Sequence, residues 1–280
     1  MRPPHFSAFA CAAGLALSCA HGATGGAPAQ SLSVKYEYVP PSNPAHEQIR
    51  ERMQQLHLLE HLAEAFSVLR LPRTLTLRFR GCDGTSNAWY DPRDASVDFC
   101  YEYVAEIDRL AANNYLGQVP ISDATNGPVL FIFLHETGHA VFNLLQVPIM
   151  GHEEDAADNF ATILLLRLGP ELAFHTLSGT AWMYHLEART REPDESDYSD
   201  EHSLDAQRYY NILCLAYGSD PIAQANLVDY RLLPADRAPG CADEYTAALY
   251  AMKKLVAPAI SPGKEIEYRS RLGKTFSTQL

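Results

Sequence analysis

The chain has 280 residues, 47% of them hydrophobic and 20% charged, with 16 glycines and 18 prolines. That is enough apolar material for one sizeable core, and it excludes a disordered chain or a collagen-like repeat. With 22 basic against 34 acidic residues, a formal charge of -12 and no local basic patch, nucleic acid is excluded as a partner.

The apolar run from Phe6 to Ala20 follows a single Arg2 and precedes small residues. It is too short to span a bilayer but suits the core of a secretory signal, with Ala27-Pro28-Ala29 offering cleavage after Ala29. Leu15-Ala16-Leu17-Ser18-Cys19 leaves lipidation at Cys19 as the alternative, although Ala16 stands where a lipobox prefers Leu. The expected organisation is a signal over 1–29, a tail or linker over 30–43, one domain over 44–260 and a C-terminal tail over 261–280. No later stretch reads as long and apolar enough to cross a membrane, so the mature chain is expected in the periplasm or the medium.

A strand is expected over 33–39, then one helix over 44–69 with Ile49, Met53, Leu56, Leu59 and Leu62 on one side. Leu75 to Phe79 alternates as a strand does, and residues 87–90 and 96–103 read as a hairpin around Asp91-Pro92-Arg93-Asp94. Helices follow over about 104–114, 127–146, 152–168, 170–190, 203–217 and 241–256. Residues 192–201 carry six acidic residues in ten and read as a solvated loop, with a calcium site as the alternative. A small N-terminal sheet with an edge hairpin, followed by a helical body, is an α+β arrangement.

With the leader removed, Cys82, Cys100, Cys214 and Cys241 remain, and three pairings are open. Export favours disulfides over buried thiols. Cys82 with Cys100 and Cys214 with Cys241 is the expected pairing, because each pair brackets one local unit. No cysteine spacing suits a metal site.

The chemistry concentrates in His135-Glu136-Thr137-Gly138-His139, embedded in otherwise apolar sequence. On a helix, His135 and His139 project from one face and supply two corners of a zinc site. Glu136 lies about 100° around the helix, placed to move a proton rather than to coordinate. Polar groups of this kind in an apolar helix are costly unless something pairs them.

A hydrolytic site needs a third protein ligand. A metzincin would carry Gly at position 142 and His at 145, where this chain has Phe142 and Leu145. An aspzincin would use an aspartate such as Asp155, without its usual sequence context. The gluzincin pattern is met by Glu154 and Asp158, one turn apart on the next helix: Glu154 as ligand, Asp158 holding the second N–H of His135. Residues 147–151 break the chain between the two helices, and Ala156 and Ala157 allow them to approach. His152 is an alternative ligand.

His135-Glu136-x-x-His139 followed by Glu154-x-x-Ala157-Asp158 resembles the gluzincin metallopeptidases, which include the thermolysin and membrane-bound prenyl-protease groups. The stretch from His139 to Glu154 is shorter than in thermolysin. Asn87, Ala88 and Trp89 are similar to thermolysin's substrate-binding edge strand. Residues of about 35–260 resemble a family of exported bacterial metallopeptidases that share the order of cysteine hairpin, H-E-x-x-H, E-D-x-A-D and D-E-H-S. The resemblance implies a zincin-like fold, one Zn²⁺ per chain and a peptide or protein substrate.

Downstream, His202 stands just before a helix and is the expected donor to the oxyanion of hydrolysis, oriented by Asp200 or Asp205. Tyr209 is a second candidate, while Arg208 reads as a salt-bridge residue. The resulting expectation is a zinc peptidase with His135, His139 and Glu154 as ligands and Glu136 as general base. A zinc hydrolase of non-peptide amides and a non-catalytic zinc-containing scaffold are the alternatives. The oligomeric state is not legible.

Overall fold

The computed structural model describes residues 34–114 and 119–262. The expected leader, with Cys11 and Cys19, lies outside the described residues, as does the expected tail beyond residue 262.

Strands β1 (Lys35–Tyr38), β2 (Thr76–Arg80), β3 (Ala88–Asp91) and β4 (Ser96–Cys100) form one sheet in the order β1-β2-β4-β3. The first two pairings are parallel, and β3 lies antiparallel to β4 at the edge. Alternation sets the inner face: Leu77 and Phe79 of β2 and Val97 and Phe99 of β4 are fully buried. On the other face the buried Asp98 carboxylate accepts from Arg78 Nε at 2.8 Å and from its terminal nitrogen at 2.9 Å, which satisfies a charge inside the sheet.

The helix expected over 44–69 is two helices, α1 (Glu47–Gln55) and α2 (Leu58–Phe66). His57 breaks it with a left-handed φ of 48°, which L-residues adopt singly and not within helices. The bend lets α2 bury Leu58, Leu59, Leu62 and Phe66. The strand expected to run to residue 103 ends at Cys100, where α3 (Tyr101–Asn114) begins. The Glu102 carboxylate in its first turn accepts from the backbone N–H groups of Cys82 and Gly84.

Helix α4 (Ile121–Leu145) runs through the centre of the protein, followed by α5 (Glu153–Leu168) and α6 (Pro170–Glu187). It starts at Ile121, ahead of the expected residue 127, and carries Pro128 inside it, because packing overrides propensity here. A Cβ on Gly127 would stand 2.8 Å from the Thr176 carbonyl oxygen, and one on Gly179 only 1.9 Å from that of Asp123, so α4 and α6 touch backbone to backbone. By length and composition α4 could cross a membrane, which corrects the expectation that no later stretch could. Its apolar window is 78% buried in the protein, as befits a core helix. Phe133 of α4 meets Phe79 and Phe99 at ring-centroid distances of 5.4 and 5.8 Å and joins helix to sheet.

The acidic stretch contains a one-turn helix, α7 (Glu195–Tyr198), with Asp194 and Asp197 forming a capping box and Arg191 paired to Asp197. Asp194 and Asp197 are engaged in the cap and the ion pair and Asp200 by His202, rather than converging as a calcium site would require. Helices α8 (Asp205–Ser219), α9 (Asn226–Asp229) and α10 (Cys241–Leu255) complete the body. Both expected disulfides are present: Cys82–Cys100 ties the loop after β2 to the end of β4, and Cys214–Cys241 staples α8 to α10. The architecture is α+β, a small mixed sheet and a mostly helical body.

Candidate metal centre

The site is built on the crossing of α4 and α5. Gly138 of α4 faces Ala157 of α5, and a Cβ on the glycine would lie 3.4 Å from the Ala157 Cα and 3.2 Å from the Phe160 ring. Small residues on both helices bring their backbones together, so one turn of each presents its polar side chains to a shared point. The Thr137 hydroxyl is satisfied within its own helix by the Phe133 carbonyl at 2.7 Å.

At that point, His135 Nε2 lies 2.9 Å from Glu154 Oε2, and His139 Nε2 lies 3.3 Å from the same oxygen and 3.2 Å from His135 Nε2. Behind His135, its Nδ1 meets Asp158 Oδ1 at 2.8 Å, and Arg208 donates to both oxygens of Asp158. The Arg208 guanidinium also lies over the Tyr184 ring, 4.3 Å from its centroid. His139 Nδ1 meets Glu153 Oε1 at 2.9 Å.

His202 reaches the same place from the segment before α8. Its Nε2 lies 3.0 Å from Glu154 Oε2 and its Nδ1 2.9 Å from Asp200 Oδ1. His135, Glu154 and His202 each offer an atom within 4.8 Å of the other two. Asp155 accepts from the Ser203 hydroxyl at 2.7 Å, and His152 Nδ1 lies 3.3 Å from the Glu201 carbonyl oxygen. Both alternative ligands are therefore engaged away from the convergence point.

The electrostatics follow from this packing. Burial would raise the Glu154 carboxyl, but hydrogen bonds from the three imidazoles hold it far below the usual carboxylate range. Burial would lower His139, yet Glu154 and Glu153 outweigh it and lift the imidazole to about 9. Contact with Glu154 lifts His202 to about 9 as well, against its partial burial. Asp158 is pushed up by burial but pulled well down by Arg208 and His135. Glu136 behaves differently: burial raises its carboxyl, with His135 and His139 opposing. A glutamate of raised pKa beside such a cluster is suited to exchanging protons.

A cleft of about 400 Å³ opens over these groups. One wall is the edge strand, with Asn87, Ala88, Trp89 and Tyr90, and Glu136 lines the floor with the two motif histidines. The Tyr90 hydroxyl donates to Asn143 Oδ1 at 2.9 Å and ties that strand to α4. Tyr209 is not brought here, which corrects its expected catalytic role. Its ring packs against His185 and Tyr210 and its hydroxyl faces the Leu232 carbonyl at 3.4 Å, because one helical step from Arg208 rotates it away from the cleft. Tyr103, Tyr184 and Arg208 do line the cleft, and Arg208 makes the salt bridge expected of it, with Asp158. Nothing in the sequence around either tyrosine marks it for a site.

The donor set fits a divalent metal ion. Ligands held about 2.0–2.1 Å from zinc at tetrahedral corners stand about 3.3 Å apart, and the observed separations of 2.9 to 3.3 Å lie close to that. Each imidazole carries its partner on Nδ1, as ligating histidines do.

Paired helices bearing two histidines and a glutamate, with a second glutamate beside them in a cleft, are the framework of a metal-dependent hydrolase. The chain belongs to the family DUF4344, described as "Putative metallopeptidase", whose model matches residues 38–256. No curated protein and no solved structure matches the chain. The family supports a peptidase and implies a metal ion, and the two disulfides suggest an extracellular or periplasmic location.

Proposed function

We propose that the protein is an exported zinc metallopeptidase of gluzincin type, with a zincin-like fold. The observation that carries this reading is the convergence of His135, His139 and Glu154 from two helices in backbone contact, with Glu136 beside them in the cleft. Those three residues would hold the metal, one ion per chain. When bound, zinc supplies Lewis acidity to a carbonyl and makes water acidic enough to attack at neutral pH.

The protein's own groups do the rest. Asp158, braced by Arg208, holds the Nδ1 proton of His135 and keeps Nε2 free to ligate. Glu136 takes a proton from the attacking water and returns it to the leaving amine, and its raised pKa serves both transfers. Residues 87–89 align the substrate backbone along the cleft wall, and the His202 imidazole faces the oxyanion that develops during attack.

The test pairs metal analysis of the purified mature chain with digestion of an unbiased peptide library. About one zinc per chain, lost in His135→Ala and Glu154→Ala, together with peptide cleavage, is expected. Full zinc occupancy in Glu154→Ala would overturn the ligand assignment, and a zinc-loaded chain cleaving no peptide would overturn the activity.

A further inference from the structure

We propose that His202 is itself a metal ligand in the resting protein, a fourth protein donor that closes the centre until substrate displaces it. This rests on the reading of His135, His139 and Glu154 as the metal site and adds a resting state to it.

His202 Nε2 lies 3.0 Å from Glu154 Oε2, within the 2.9 to 3.3 Å range that separates the other donor atoms from one another. With His135 and Glu154 it forms a group whose donor atoms all lie within 4.8 Å of one another.

The second observation is how the three imidazoles are built. His135 has Asp158 on Nδ1 at 2.8 Å, His139 has Glu153 at 2.9 Å, and His202 has Asp200 at 2.9 Å. In each case a carboxylate takes the Nδ1 proton, and all three Nε2 atoms gather on one oxygen of Glu154. A carboxylate behind the ring is the usual support of a ligating histidine. His202 carries the same support as the two motif histidines.

The segment bearing His202 is seated rather than adrift. Ser203 donates to Asp155 at 2.7 Å, and His152 contacts the Glu201 carbonyl, so residues 201–203 rest on the first turn of α5 beside Glu154. These are a few surface contacts, and the His202 side chain keeps 43% of its exposure. They hold the ring in place yet can be broken by a substrate entering along the edge strand. Four protein donors leave no open position, which is the arrangement of closed sites. Release of His202 opens one and frees the imidazole for the oxyanion role.

The experiment is zinc affinity of the mature chain by chelator competition, with X-ray absorption of the zinc-loaded protein to count imidazoles. His202→Ala, at a side chain that keeps 43% of its exposure, should weaken zinc by at least the ~10–100-fold that loss of a ligand's support costs, and should remove one imidazole from the absorption fit. Asp200→Asn should weaken zinc by a smaller factor with the imidazole count unchanged. If His202→Ala binds zinc as tightly as the parent with the same number of imidazoles, the closed site is refuted. If His135→Ala also retains full affinity, it is the metal centre as a whole that fails, so the two failures are distinguishable.

Discussion

Arg208 donates two hydrogen bonds of 2.8 Å to Asp158, fifty residues earlier in the chain, and both side chains are largely withdrawn from water. Asp158 could not remain ionised in that position without a cation, since burial alone pushes its carboxyl up. Arg208 thus keeps the charge that orients His135. Arg208→Lys, which loses the paired geometry, should weaken zinc by about 10–100-fold in a chelator competition. Arg208→Met leaves the buried carboxylate without its guanidinium, with the His135 imidazole as its remaining partner, and should destabilise by about 3–5 kcal/mol in denaturant unfolding. Unchanged affinity in both variants would show that Asp158 needs no such brace.

Glu136→Gln separates proton transfer from coordination. The amide keeps the volume but cannot accept a proton, so zinc content should stay at the parental level while turnover on a validated peptide falls by about 10²–10⁴. Cleavage at the parental rate would remove Glu136 from the mechanism, and loss of zinc would make it a ligand.

Glu187 gives the stability curve a feature of its own. Its carboxyl is pushed up to about 7, first by burial and then by repulsion from Asp205, with Arg208 opposing. Between about pH 4.5 and 7 the folded chain holds a proton there that the unfolded chain has released. This contribution is therefore present in full at low pH, declines as pH rises to about 7 and is absent above. Glu187→Gln removes it, so the variant should gain on the parent with rising pH, by at most about 3 kcal/mol at pH 8. Denaturant melts from pH 5 to 8 supply the comparison, and a difference independent of pH would contradict the assignment.

Gly179 tests the α4–α6 contact. A methyl group there would meet the Asp123 carbonyl oxygen at 1.9 Å, backbone against backbone, so the helices must part. Gly179→Ala should cost about 3 kcal/mol or more. Gly240→Ala, whose new atom would find its nearest neighbours at 3.5 Å or beyond, should cost less than about 1 kcal/mol in the same thermal or denaturant assay.

What was legible in the sequence was whatever periodicity and spacing encode. The α+β order, the hairpin, both disulfides and the convergence of His135, His139 and Glu154 all follow from local pattern, because ligands one turn apart on two helices need only a reversal between them. The less legible features depend on contacts distant in sequence. The break at His57 is a single φ value that no residue type announces. The early start of α4 is set by Gly127 meeting Thr176 of α6 and by Gly179 of α6 meeting Asp123, contacts that join positions some fifty residues apart. Tyr209 and Arg208 are neighbours on one helix, and only the helix's rotation shows that the arginine faces the cleft while the tyrosine does not.

The seam between Gly138 and Ala157 also frees the segment that joins the two halves of the site. Residues 146–152 turn the chain through the left-handed Gln146 and Gly151, and Met150 at their tip is fully exposed. Since helix-to-helix contact sets the separation of His135, His139 and Glu154, this connector carries no metric information. A peptide inserted at Met150 adds only the slowly growing cost of a longer loop. A chain nicked there would still dock α5 against α4, and the ligand set would survive as a property of two surfaces rather than of one continuous strand.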